Sequence, residues 1–202
     1  MTNQDTKSRL VEAATDLFWT QGFRATSVAQ ILRRAGVNSG SLYYFFRGKT
    51  ELLVAAVESY PDRYWRDMLE PAFDAERDPV DRLVHLFARH RADVAAQGFT
   101  RGSFLGNLSV EMADASPMAQ AAIAVAWRRV QGWIKLWLVE AAPRLPEETD
   151  FEALAGFLLA SLEGGLMQVR AQKSLAPFDA VVVHVRFVLS ELGQAAQPAE
   201  NP

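Results

Sequence analysis

Gly22, Gly36 and Gly48 divide the first fifty residues of this 202-residue chain into short pieces, which excludes one long helix there. Each piece between Gly22, Gly36 and Gly48 keeps a helical pattern. Segment 5–21 carries Leu10, Val11, Ala14, Leu17 and Phe18 on one apolar helix face. Gly22 fits the position just past its end, because glycine adopts the left-handed backbone without a Cβ penalty. Ser27-Val28-Ala29-Gln30 fits a capping box that opens a second helix, running to about Ala35. Asn38 can cap a third, Ser39 to about Phe46. A fourth starts near Lys49 with Leu52, Leu53, Ala56 and Val57, and Pro61 is expected to end or kink it.

Two short helices joined at Gly36-Val37 form a helix-turn-helix signature. Ala29, Ile31, Leu32, Val37, Leu42 and Phe46 can supply the small core that fixes them. Reading DNA requires a rigid short helix with a polar leading edge that fits the major groove. Asn38, Ser39, Gly40, Ser41, Tyr43 and Tyr44 supply that edge, although packing alone would also account for the two tyrosines. Lys49 is placed to meet a phosphate, as are the backbone donors at Thr26 and Ser27. Charge points the same way. The whole chain carries −3, yet residues 1–50 carry +4 and residues 51–202 carry −7. The basic part is suited to an anionic partner.

The string "RLVEAATDLFWTQGFRATSVAQILRRAGVNSGSLYYFFRGKTELL" resembles the tetracycline-repressor (TetR) family. Phe18, Gly22, Phe23, Thr26, Ile31, Ala35, Gly36, Val37, Leu42, Tyr43, Phe46, Lys49, Leu52 and Leu53 fall where that family's pattern wants them. The resemblance implies an all-helical, homodimeric repressor. Its DNA contacts would fall at Thr26, Asn38, Ser39, Ser41, Tyr43, Tyr44 and Lys49. At Gly40 many relatives carry a lysine or another long polar side chain, and Phe45 replaces a frequent histidine or tyrosine. One such head reads only a few base pairs. Dimers place two recognition helices about 34–36 Å apart, one DNA turn, so a palindromic double-stranded operator is expected.

The expected division is a DNA-binding domain over 1–50 and a helical-bundle domain for ligand sensing and dimerisation over 51–202, about nine helices in all. Beyond residue 77, helices are expected from Asp78-Pro79 to Ala96, from Ser103 to Ala113, from Ser116-Pro117 to Ala142, from Thr149 or Asp150 to Lys173, and from Ala176-Pro177 onward. The tail from Gln194 is expected to fray. Trp127, Trp133 and Trp137 make a wide apolar face on the long helix, either plain core or the wall of a small-molecule cavity.

"RGSFLGNLSVE" at 101–111 resembles a motif of one TetR subgroup, roughly Gly-Cys-x-x-x-Asn-Leu-x-x-Glu, whose cysteine senses electrophiles in some members. Ser103 stands at that position and the chain has no cysteine, so thiol sensing is excluded. Phe104, Asn107, Leu108 and Glu111 remain candidates for effector contact, with Asn107 and Glu111 equally readable as holding helices together. The last two helices carry Phe157, Leu158, Ser161, Leu162 and Gly165, then Val181, Val185, Val188 and Leu189, a candidate dimer interface of two helices per protomer.

Enzyme chemistry finds no support. No nucleophile elbow, P-loop or dinucleotide fingerprint occurs. His85 and His90 do not share a helix face, so neither a metal nor another cofactor is expected. No apolar run reaches 18 residues and no signal-peptide core precedes Arg9, so a cytoplasmic protein without a membrane partner is expected. The competing reading is a helical module that holds an apolar small molecule and never touches DNA. It leaves the basic head and "GSLYYFFRGK" unexplained.

Overall fold

The capping signals in the sequence are used as local chemistry dictates. In a computed structural model of the protein, which describes residues 3–195, Ser27 accepts from the Gln30 backbone while the Gln30 side chain returns to the Ser27 amide. This closes the capping box of α2 (Val28–Ala35). Gly36 ends that helix in the left-handed conformation, at φ 63°. Gly22 does the same for α1 (Asn3–Gln21), at φ 85°. Asn38 caps α3 (Ser39–Phe45) through the Ser41 amide.

α4 (Lys49–Tyr64) does not end at Pro61. It continues without a break through a π-helical turn, Trp65–Leu69, into α5 (Glu70–Ala75). A proline inside a helix costs about 3 kcal/mol. Burial of Val57, Tyr60, Pro61, Tyr64, Met68 and Leu69 along the same run offsets that cost, at about 1.5–3 kcal/mol for each fully buried large apolar side chain. The wider π turn, four residues on, is a common site of local adjustment within a helix.

The remaining helices are α6 (Pro79–Ala96), α7 (Phe104–Met112), α8 (Pro117–Glu140), α9 (Phe151–Gln172) and α10 (Ala176–Ala195), with a 3₁₀ turn at Ala142–Arg144. Asp78, Ser103 and Asp150 cap α6, α7 and α9 through side-chain oxygens. With the run from α4 to α5 counted once, the described residues form nine helices and no strand. The expected fraying of the tail concerns residues that lie mostly outside the described ones. No helix among the described residues is long and apolar enough to cross a membrane.

The chain divides into two compact units with three boundaries, two inside helices α4 and α8 and one in the loop between α6 and α7. The first comprises Met1–Arg63 with Arg101–Arg128. Its core includes Leu10, Phe18, Ile31, Leu42, Phe46, Leu52, Leu53, Phe104 and Leu108, while Ala29 is exposed. The second comprises Tyr64–Thr100 with Arg129–Pro202 and buries Leu83, Phe87, Trp137, Leu158, Leu162, Phe178, Val185 and Leu189. There α9 and α10 approach closely at Gly165, where a Cβ would come within 2.8 Å of the Phe178 ring.

Candidate nucleic-acid interface

α3 presents Tyr43 and Tyr44 at 62% and 70% exposure, with Asn38, Ser39 and Gly40 also at the surface. Large aromatic side chains on a short polar helix are poorly explained by packing, because their own chain leaves them uncovered. The helix beneath them is held firmly. Leu42 and Phe46 are buried, and Tyr44 packs edge-on against Phe45 with ring centroids 4.8 Å apart. From α1, Arg9 donates to the carbonyls of Ala35 and Gly36, bracing the turn between α2 and α3. Gly36 is needed there for its φ, and a Cβ at this position would also displace the guanidinium, which it would meet at 2.7 Å.

Asp16 of α1 pairs with Arg34 at 2.6 Å and Arg63 at 3.2 Å, tying α2 and α4 to the first helix. Burial acts to raise the Asp16 pKa. Hydrogen bonds and charge from Arg34 and Arg63 outweigh it and hold the carboxylate below its usual value.

The polar candidates fall into two groups. Asn38, Ser39, Ser41, Tyr43 and Tyr44 stand together on α3, although Asn38 Oδ1 already accepts from the Ser41 amide and hydroxyl. Thr26 lies beneath the surface. Its hydroxyl donates to the Gly22 carbonyl at 2.6 Å and accepts from Gln21 at 3.1 Å. Ser27 is exposed, with its side chain engaged in the cap. Lys49 donates to the carbonyls of Phe23 and Thr26, both at 2.8 Å, and its ammonium sits 4.2 Å from the centre of the Phe23 ring. Burial lowers its pKa, and the Glu111 charge acts in the opposite direction. Two of its three donors are thus used on the protein.

Glu111, a candidate effector contact by its sequence pattern, is engaged within the chain. Its carboxylate accepts from the backbone amides of Phe23 at 2.8 Å and Arg24 at 2.7 Å. Asn107 donates to the Arg101 carbonyl at 2.8 Å, just ahead of α7. Phe104 and Leu108 are fully buried, and Phe104 packs with Trp19 and Tyr60. Trp127, in the first unit, donates to the Ser109 hydroxyl at 3.0 Å. Trp137 and Trp133 belong to the second unit. Trp137 is buried there, and Trp133 packs against Trp65 at 5.4 Å with Arg129 over its ring. The pairing of Glu111 with residues 23 and 24 left no local signal in the sequence, because 87 and 88 positions separate the partners.

On α9 and α10, Leu158, Leu162, Gly165, Val185 and Leu189 are buried within their own chain. Ser161, Val181 and Val188 are half-buried, and Phe157 is exposed. Met167, Val183 and Phe187 are exposed as well, and the spacing 157, 161, 164, 167 on α9 and 180, 183, 187 on α10 puts these outward positions on one face of each helix. A groove of about 400 Å³ runs between them over Gly164 and Gly165, lined also by Phe157, Ala180 and His184.

Of the histidines, His85 lies 3.4 Å from Glu76, and His90 is buried with Nε2 2.8 Å from the Tyr64 hydroxyl. Among the described residues no cluster of three His, Asp or Glu side chains could hold a metal ion.

A braced helix-turn-helix with an exposed polar and aromatic recognition helix, carried on an all-helical body, defines a DNA-binding transcriptional regulator. The chain belongs to the tetR family of bacterial regulatory proteins, whose model matches residues 10–56, while the LmrA/YxaF-like C-terminal domain of transcriptional regulators matches residues 79–184. It is 32% identical to the transcriptional regulator AcuR of Cereibacter sphaeroides, over 83% of this chain and 77% of that one. It is 26% identical to the transcriptional repressor DhaR of a Mycobacterium species, over 89% of each. The crystal structure of a regulatory protein TetR from Rhodobacter sphaeroides superposes with a TM-score of 0.79 at 25% identity, covering 88% of this chain and 95% of that one. Members of this family are regulators and not enzymes, and they bind DNA operators as dimers.

Proposed function

We propose that this protein is a homodimeric repressor that holds a palindromic operator through α3 and releases it when a small molecule binds its helical body. The observation that carries the reading is the exposed Tyr43–Tyr44 pair on a helix whose other side is buried. Ring and hydroxyl together suit a tyrosine to a groove wall and a phosphate at once. In this reading Asn38, Ser39, Ser41, Tyr43 and Tyr44 meet the DNA, and the remaining Lys49 donor meets phosphate together with the first-turn amides of α2 that follow Thr26 and Ser27, whose own amides are bonded to Phe23 and Gln30. The dimer forms through the outward face of α9 and α10, at Phe157, Ser161, Gly164, Met167, Val183 and Phe187. The buried Leu158, Leu162, Val185 and Leu189 support that face from behind.

The effector contacts apolar side chains, either Phe104, Leu108 and Trp127 of the first unit or Trp133 and Trp137 of the second. It shifts the equilibrium only by its differential affinity for the DNA-competent and released states.

The test is fluorescence anisotropy with DNA from the protein's own upstream region at several salt concentrations. Sequence-preferring binding that weakens steeply with salt is expected. Tyr44→Ala should weaken binding and change the preferred sequence with the dimer intact. A protein that prefers no DNA sequence across genomic fragments would refute the proposal and favour a ligand-holding module. A screen of small apolar acids, aldehydes and aromatic compounds for release of that DNA identifies the effector class.

A further inference from the structure

Residues 101–111 tie the first unit together at both ends of the string. At its start, the Trp19 indole donates to the Gly102 carbonyl at 2.7 Å. At its end, the Glu111 carboxylate takes the amides of Phe23 and Arg24, one on each oxygen. Both ties grip the end of α1 and the turn that leads to α2. That turn is held from its other polar side as well, since Lys49 takes the carbonyls of Phe23 and Thr26. The amides therefore go to a carboxylate and the carbonyls to an ammonium, so both sets of hydrogen bonds are charge-assisted, the stronger kind.

Two further features fit this arrangement. Glu111 stands in the last turn of α7, where the helix dipole disfavours a negative charge. A carboxylate at that position needs compensation, and the two amides with the nearby Lys49 provide it. Gly22 is shaped for the same contact. Its φ of 85° suits glycine, and a Cβ there would come within 2.9 Å of Glu111 Oε2. A side chain at position 22 would thus have to push the carboxylate aside, in addition to the strain at this φ.

We propose that Glu111 is a positioning residue for DNA recognition, acting through the Phe23–Arg24 backbone to hold the turn that seats α2 and α3. Any displacement of α7 relative to that turn must stretch or break these bonds. The inference rests on DNA recognition by α3 and goes beyond it by naming the residue on which the seating of α3 depends.

Electrostatics alone gives the opposite sign to this proposal. Removing a negative charge from the DNA-binding unit should tighten binding to any DNA. Loss of positioning should weaken binding to the preferred operator while leaving random DNA unaffected. The experiment compares the full-length protein with Glu111→Ala and Glu111→Gln. Anisotropy is read on an operator fragment selected from genomic DNA with the unsubstituted protein, and on a scrambled fragment of the same length. Hydrogen exchange at the Phe23 and Arg24 amides is measured in parallel.

Glu111→Ala should bind operator about tenfold more weakly or worse, consistent with the loss of two charge-assisted hydrogen bonds. Binding to the scrambled fragment should be unchanged or tighter, and both amides should exchange faster. Glu111→Gln keeps one acceptor oxygen and should fall between. Unchanged or tighter operator binding, equal weakening on both fragments, or unaltered amide protection would each overturn the proposal. Should Glu111→Ala fail to fold, Glu111→Gln decides by the same criteria. If the unsubstituted protein selects no fragment at all, it is recognition by α3 that fails.

Discussion

His90 makes the stability of this protein depend on pH in a defined window. The ring is buried, and burial together with the neighbouring Arg89 charge lowers its pKa from 6.5 to about 4. The unfolded chain therefore takes up the proton first as the pH falls. Stability is complete above pH 6.5, declines as the pH drops through the window, and levels off below the folded pKa of about 4. A gap of this size corresponds to about 3 kcal/mol once both states are protonated, and to about 2 kcal/mol at pH 5. Such a loss is a large share of the 5–15 kcal/mol typical of folded domains.

The assay is urea unfolding followed by circular dichroism at fixed protein concentration, from pH 7.5 to 4.5, with His90→Gln for comparison. Glutamine has the length to reach the Tyr64 hydroxyl, which lies 2.8 Å from Nε2, and it does not titrate. Carboxylates titrate in both proteins and cancel in the difference. The unsubstituted protein should lose about 2 kcal/mol more than the variant between pH 7.5 and pH 5. Parallel stability curves for the two proteins would refute the reasoning.

Other substitutions probe packing, capping and assembly. Phe187→Glu places a charge on the outward face of α10, where Phe187 is 61% exposed, and should convert the dimer to monomer in sedimentation velocity with helicity retained. Gly165→Ala drives a methyl group to 2.8 Å from the Phe178 ring and should cost about 1–3 kcal/mol in chemical denaturation, the usual range for an overpacked site. Ser27→Ala opens the α2 capping box and should lower stability by about 1 kcal/mol, read as a lower thermal midpoint.

Much of the local structure was legible because its causes are local. The Ser27–Gln30 cap, the Asn38 cap and the left-handed glycines at 22 and 36 depend on residues a few positions apart. The run from 62 to 75 was less legible. Pro61 signals an end or a kink by local rules, yet burial of Tyr60, Tyr64, Met68 and Leu69 carries the helix past it and a π turn follows. The apolar faces of α9 and α10 were visible as periodicity. Which residues face inward depends on how the two helices pack, so Leu158, Leu162, Val185 and Leu189 are core while Phe157, Val183 and Phe187 look outward.

The sequence by itself determined an all-helical chain, the helix-turn-helix at its start, the polar edge of α3 and the absence of any thiol. Helical period, cap chemistry and composition depend only on neighbours in the chain. Only the tertiary structure decided what Lys49 and Glu111 touch. Both are charged groups on helix ends that a linear reading assigns to a phosphate and a ligand. In the folded protein they converge on the backbone of residues 23–26, because those polar groups lie outside regular helical pairing and need partners. The same fold places residues 101–128 in one compact unit with the DNA-binding helices, a grouping that neither charge nor periodicity reveals.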